Sequence, residues 1–128
     1  MQKIHIGFLG AGGIARAHAY SIQSLKFYYD DAPELVFESV ASARAESRER
    51  FARNYGFRKA ESVEEFSKNE NIKAVFIMGP NNVHFEHLKL ALGMPNVKLI
   101  YLEKPVCASL EEEKEMKDSR KIKMILKG

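Results

Sequence analysis

Residues 4–15 read Ile4-His5-Ile6-Gly7-Phe8-Leu9-Gly10-Ala11-Gly12-Gly13-Ile14-Ala15. A compact apolar run stops at a glycine cluster. After it Ile14, Ala15, Ala17, His18, Ser21, Ile22 and Leu25 recur at the three-and-four spacing of one helix face. Strand, glycine turn and helix, in that order, satisfy the dinucleotide pattern G-x-G-x-x-G/A. Gly10 allows the tight turn. Gly12, lacking a Cβ, lets the backbone approach a pyrophosphate, and Ala15 lets the helix pack close to the strand. The unpaired N–H groups and dipole of the helix start favour a bound phosphate. Gly10, Ala11, Gly12, Gly13 and Ile14 are therefore candidate cofactor-binding residues.

Outward from this stretch, short apolar runs keep alternating with helical periodicity. Leu35 to Ala41 reads as a second strand. A helix from Ala45 to Tyr55 follows, carrying Phe51, Ala52 and Tyr55 as its stripe, with Gly56 placed to end it in the left-handed conformation. Arg58 to Ala60 offers a short third strand. Ser62 and Glu65 form the S-x-x-E capping box of a helix from Val63 to Lys68. Ala74 to Met78 is a buried strand halted by Gly79-Pro80. A helix over Val83 to Leu92 places His84, Leu88, Ala91 and Leu92 on one face, and Val97 to Leu102 is a strand running into Glu103-Lys104-Pro105. Ser109 starts a further helix, although Glu113 and Arg120 suit its core-facing positions poorly, and Ile122 to Leu126 reads as a last strand. Near-continuous apolar strands separated by helices predict a doubly wound parallel sheet covered on both faces, a three-layer α/β/α Rossmann-like domain occupying 1–128.

Composition agrees with one globular domain. The 128 residues are 45% hydrophobic and 29% charged, a balance unlike that of a disordered chain. Twenty Lys and Arg are interleaved with 17 Asp and Glu, for a net charge of +3, which argues against a nucleic-acid partner. Apolar runs are too short to cross a bilayer, and the start lacks the pattern of a secretory signal. The single cysteine, Cys107, fits a reducing compartment, so a cytoplasmic location is expected. His5 and His18 have no Cys, Asp or Glu at metal-ligand spacing; both read as packing or surface residues, and no metal is expected.

Ligands of such a sheet lie beyond the C-terminal ends of the strands. An NAD-selective site usually carries an Asp or Glu at the end of the second strand. This chain has Ala41-Ser42-Ala43-Arg44, with no acid until Glu46. Ser42 and Arg44 suit a 2′-phosphate, Arg44 through charge-assisted hydrogen bonds, which favours NADP over NAD. Two further strand ends are polar: Gly79-Pro80-Asn81-Asn82-Val83-His84, and Glu103-Lys104-Pro105. Taken singly, His84 is equally well read as a packing histidine.

Together G-A-G-G-I-A-R-A-H, G-P-N-N-V-H and L-E-K-P-V resemble the glucose–fructose oxidoreductase, inositol dehydrogenase and rhizopine-catabolism (Gfo/Idh/MocA) family, in order and across nearly the whole chain. The resemblance implies an N-terminal nicotinamide-binding domain, with Gly10 and Gly12 at the pyrophosphate and Pro80, Asn81 and His84 at the ribose and nicotinamide side; Gly79, at the head of that turn, is a further cofactor-binding candidate. It implies that Lys104, after Glu103, approaches both the substrate hydroxyl and the nicotinamide as the catalytic residue. The Lys104-Pro105 peptide is often cis in relatives. Members transfer hydride between NAD or NADP and sugars, inositols or related hydroxy and keto compounds, and the full-length protein is expected to be a homo-oligomer. A C-terminal substrate and dimerisation domain, with the family's paired Asp and His, is absent from these residues, so the piece alone is expected to bind cofactor with little turnover. Gly79 stands where relatives commonly have Thr, and Gly93-Met94-Pro95-Asn96-Val97-Lys98 replaces the usual lead into the fifth strand. The alternative reading is a non-catalytic dinucleotide sensor.

Overall fold

The structure, a computed structural model, describes residues 3–28, 34–103 and 124–127. The strands are β1 (Lys3–Leu9), β2 (Glu34–Ala41), β3 (Lys59–Glu61), β4 (Ala74–Ile77), β5 (Leu99–Glu103) and β6 (Met124–Lys127). The helices are α1 (Gly13–Tyr28), α2 (Ala45–Tyr55), α3 (Val63–Ser67) and α4 (His84–Leu92). All six strands are parallel, in the order β3-β2-β1-β4-β5-β6. The chain winds outward from β1 to β3, then restarts at β4 on the other side of β1. This reversal opens a crevice at the C-terminal ends of β1 and β4. The helix expected from Ser109 lies outside the described residues, as do Lys104, Pro105 and Cys107.

Local signals set the element ends. Gly56 adopts φ 80° and donates its N–H to the Ala52 carbonyl, closing α2. The Ser62–Glu65 capping box forms both of its bonds, side chain to backbone in each direction. Helix α4 starts one residue later than its periodicity suggests, because Asn81–Val83 forms a 3-10 turn in which the Val83 N–H reaches the Pro80 carbonyl. Strand β5 likewise begins at Leu99, two residues late: the Val97 N–H closes a turn onto Met94, and pairing toward β4 starts with Lys98 N–H to the Lys73 carbonyl.

Two apolar clusters cover the two faces. Leu9, Phe66, Val75, Ile77, Leu88, Ile100 and Leu102 pack on the α3/α4 side. Ile6, Phe8, Ala15, Ala19, Phe37, Val40, Phe51, Phe57 and Ala74 pack on the α1/α2 side. Phe8 is the hub of the second cluster, with the rings of Phe37, Phe51, Phe57 and Phe76 at 5.0–6.2 Å, while Phe37 and Phe57 stack at 4.5 Å. On the opposite face Gly7 is obligatory. A Cβ there would lie 2.6 Å from the Phe66 ring, so the missing side chain is what lets α3 press onto β1.

Strand β2 departs from simple alternation. Ile6 pairs with Phe37 but Gly7 with Ser39, leaving Glu38 as an extra, bulged residue. The bulge re-phases the strand: Phe37 and Val40, three apart, both enter the aromatic cluster. Strict alternation would have driven Ser39 into those rings. Instead Glu38 and Ser39 turn to the other side, where Ser39 Oγ donates to Glu61 at 2.6 Å and Asn69 Nδ2 donates to both Glu61 (2.9 Å) and Glu38 (3.3 Å). His5 Nδ1 donates to Glu38 at 3.1 Å and Arg58 stands 3.6 Å away. Burial raises the Glu38 pKa, but the hydrogen bonds from His5, Asn69 and Asn71 and the charge of Arg58 outweigh this and hold it below the ordinary carboxyl value. His5, read from sequence as a packing or surface residue, is thus tied to a buried carboxylate 33 residues away.

Candidate cofactor-binding site

Three strand ends are stitched together at the rim of the sheet. Gly10 N–H donates to the Ala41 carbonyl at 2.8 Å, and Met78 N–H donates to the Leu9 carbonyl at 2.8 Å. Gly10 takes φ 130°, and a Cβ on it would fall 2.6 Å from the Met78 backbone, so glycine is required twice over. Gly12 and Gly13 differ: a Cβ on either would meet nothing within 4 Å. Their lack of side chains leaves open space in front of the first turn of α1.

That space is part of a crevice of about 450 Å³. Gly10, Ala11, Gly12, Gly13 and Ile14 form one wall, Ser42, Ala43, Arg44 and Ser47 close one end, and Met78, Gly79, Pro80, Val63, Val83 and His87 form the rest. The glycine loop, Ser42, Arg44, Gly79 and Pro80, singled out from three distant stretches of sequence, therefore share one cavity. Ser42 is held by its neighbours: its Oγ donates to the Arg44 carbonyl at 3.1 Å, and its own carbonyl accepts from Arg48 at 2.9 Å. Arg44 sits at the N-cap of α2 in extended conformation. Among the described residues no carboxylate lines the crevice. Asn81 opens the 3-10 turn directly beyond Pro80, and Glu103 closes β5. Lys104 lies outside the described residues.

His84 is the exception. It is 2% exposed and does not line the crevice; its Nε2–H donates to the Gly79 carbonyl at 2.6 Å. It braces the rim from beneath. The helical stripe His84, Leu88, Ala91 already carried this answer, since all three are buried on one face. One turn further, His87 takes the crevice-facing place, four residues after Val83, which also lines the cavity. A Cβ on Gly79 would lie 3.2 Å from His87 Cε1 and 3.2 Å from Val83 Cγ2, so Gly79 makes room for both. His87 Nδ1 is buried with no hydrogen-bond partner among the described residues. Burial, then the neighbouring His84, lower the His87 pKa, against a small opposing effect of Glu86. Val63, Met78, Ser47 and His87 were not foreseen. The spacing of Val83 and His87 was the signal available for the last.

His18, on α1, meets Tyr101 of β5, Nε2 to hydroxyl 3.3 Å, and packs beside Phe76. It lies under α1, against the sheet. Among the described residues no group of three His, Cys, Asp or Glu is placed to hold a metal, and no helix is long and apolar enough to cross a membrane.

Comparison with known proteins agrees with this geometry. The model of the Gfo/Idh/MocA oxidoreductase family, NAD-binding Rossmann fold, matches residues 4–124. The chain belongs to the Gfo/Idh/MocA family. Within and around this family, it is 37% identical over 119 residues to glucose-6-phosphate 3-dehydrogenase of Bacillus subtilis, a match covering 93% of this chain and 30% of that protein. It is 31% identical over 129 residues to levoglucosan dehydrogenase of Pseudarthrobacter phenanthrenivorans, covering 98% of this chain and 32% of the other. The solved structure of levoglucosan dehydrogenase with NADH and L-sorbose superposes with a TM-score of 0.84 at 29% identity, over 96% of this chain and 33% of that one. An NAD-binding oxidoreductase from Klebsiella pneumoniae gives 0.85 at 25% identity, over 98% and 34%. The chain thus spans about a third of the length of these relatives.

Proposed function

We propose that this chain is the dinucleotide-binding domain of a dehydrogenase that moves hydride between NADP or NAD and a sugar, inositol or related hydroxy compound. The observation that carries the proposal is the shared crevice: a glycine loop with open space at Gly12 and Gly13, at the sheet's reversal point, faced by Ser42, Arg44, Gly79 and Pro80. The residues present suit the cofactor. Main-chain N–H groups at the start of α1 would hold its pyrophosphate, and apolar Val63, Met78 and Val83 suit a base. Relatives named for glucose-6-phosphate and levoglucosan support a carbohydrate-like substrate.

Among the two cofactors the crevice suits NADP. Among the described residues no carboxylate lines the crevice to repel a 2′-phosphate, and Arg44 and Ser42 stand at the end of β2 where the adenosine ribose of such a ligand rests. When bound, the nicotinamide supplies the hydride acceptor or donor. Lys104 is the residue assigned to the substrate oxygen, polarising it and taking part in proton transfer. The substrate-shaping groups, the second acid–base group and the dimer contact are assigned to the further two-thirds of length that the relatives possess.

Fluorescence titration of the 128-residue chain with NADPH and NADH tests the binding reading. Saturable binding of both, tighter for NADPH, is expected; tighter NADH removes the NADP assignment, and no binding of either removes the cofactor reading. In a protein carrying the remaining length, Lys104→Ala should lower kcat by about 10²–10⁴-fold with cofactor affinity retained. Undiminished turnover would take Lys104 out of the chemistry.

A further inference from the structure

We propose that His87 reads the purine base of the dinucleotide, donating its Nε2–H to N1 of adenine and so selecting adenine over hypoxanthine. The inference rests on the cofactor reading. It adds a specificity-determining residue on α4, outside the glycine motif and the end of β2.

Three observations carry it. First, one side of the crevice suits a flat apolar body with a single polar edge. Val63 comes from α3, Met78 from the end of β4 and Val83 from the 3-10 turn. Ser42, Arg44 and Ser47 stand at the α2 end, whereas His87 stands on the side of Met78, Gly79 and Val83. An apolar slot with few polar groups is how proteins hold and orient a heterocycle. Second, the backbone makes room for this ring. A Cβ on Gly79 would lie 3.2 Å from His87 Cε1 and 3.4 Å from Nδ1, so any other residue there would press on the imidazole. Third, the ring is chemically asymmetric. Nδ1 is sealed from solvent and has no hydrogen-bond partner. A proton placed there would be a buried donor without an acceptor, so in the neutral ring it belongs on Nε2.

That asymmetry gives the selectivity. N1 of adenine is an acceptor and meets the Nε2–H. N1 of hypoxanthine carries a proton, so two donors would face each other. To accept from it the imidazole would have to move its own proton to Nδ1, where nothing receives it. A site built to bond one edge rejects its inverse for this reason.

Reduced nicotinamide adenine dinucleotide and its hypoxanthine analogue are titrated, by nicotinamide fluorescence, into the full 128-residue chain at pH 7.5. Wild type, His87→Leu and His87→Gln are compared. Wild type should bind the adenine form about tenfold more tightly, the worth of one hydrogen bond. His87→Leu should weaken the adenine form to the level of the analogue. His87→Gln should hold both forms about equally well, because an amide can turn either its N–H or its oxygen to the base. Equal binding of the two forms by wild type, or a preference that survives in His87→Leu, overturns the assignment and leaves the cofactor reading intact. An undiminished preference in His87→Gln does the same. If His87→Leu fails to fold by circular dichroism, wild type and His87→Gln decide the matter. If wild type binds neither form, the cofactor reading itself has failed.

Discussion

The Nε2–H of His84 donates to the carbonyl oxygen of Gly79 at 2.6 Å, joining the first residue of α4 to the strand end that forms the crevice rim. A carbonyl only accepts, so in this contact the proton is carried on Nε2. The bond runs from a buried ring to a rim that is itself part of the cavity wall. It ties the Gly79-Pro80 turn to the start of α4.

His84→Ala removes both the donor and the ring filling its site. An unfolding free energy lower by about 1–3 kcal/mol is expected from the orphaned carbonyl, measured by urea denaturation. Loss of dinucleotide affinity with unchanged stability would instead place His84 in direct contact with ligand.

His87 should make stability pH-dependent. Its pKa is lowered in the folded chain, so below the ordinary value of 6.5 the unfolded state binds the proton more readily. Stability therefore falls as pH drops from 6.5 toward the folded-state pKa, and is complete above 6.5. His87→Asn should flatten that part of the profile in thermal unfolding at a series of pH values. A profile identical to wild type would contradict the burial of the ring.

Glu38 acts lower on the scale and with the same sign. Its pKa is held below the ordinary 4.5, so its contribution is present above 4.5 and is lost as pH falls through the folded-state value. Glu38→Gln keeps the shape but not the charge. It should cost about 1–3 kcal/mol at neutral pH and shrink the difference from wild type as acid is added. A constant difference across the acid range would show that the charge is not what the His5, Asn69, Asn71 and Arg58 contacts hold.

The glycines of the loop should separate stability from binding. Gly10→Ala places a Cβ against the Met78 backbone at φ 130° and is expected to cost about 2–4 kcal/mol. Gly12→Ala meets nothing within 4 Å and should leave the melting temperature unchanged while weakening both NADH and NADPH. Equal stability losses in the two variants would refute the distinction.

Much of this architecture was legible from the residues alone. The alternation of apolar runs with helical stripes gave the order of strands and helices. Gly56 and the Ser62–Glu65 box marked helix ends, because a cap is satisfied by atoms only a few residues apart. The glycine loop, Ser42 and Arg44 after β2, and Gly79 and Pro80 after β4 also line one crevice, since the C-terminal ends of parallel strands must meet at one edge. His84 falls outside the crevice lining, in keeping with the helical stripe it shares with Leu88 and Ala91.

What the sequence determined by itself is the identity and order of the elements and the glycine turn. Those rest on spacings within a single strand, helix or cap. The tertiary structure alone decided the bulge at Glu38, its bond to His5 at a separation of 33 residues, and the place of His87 beside Gly79. The physical reason is that a side chain's partner depends on the register and packing of elements far apart in the chain. Inserting one unpaired residue into β2 exchanges the face that Ser39 and Val40 present, and nothing in the order of those letters announces it.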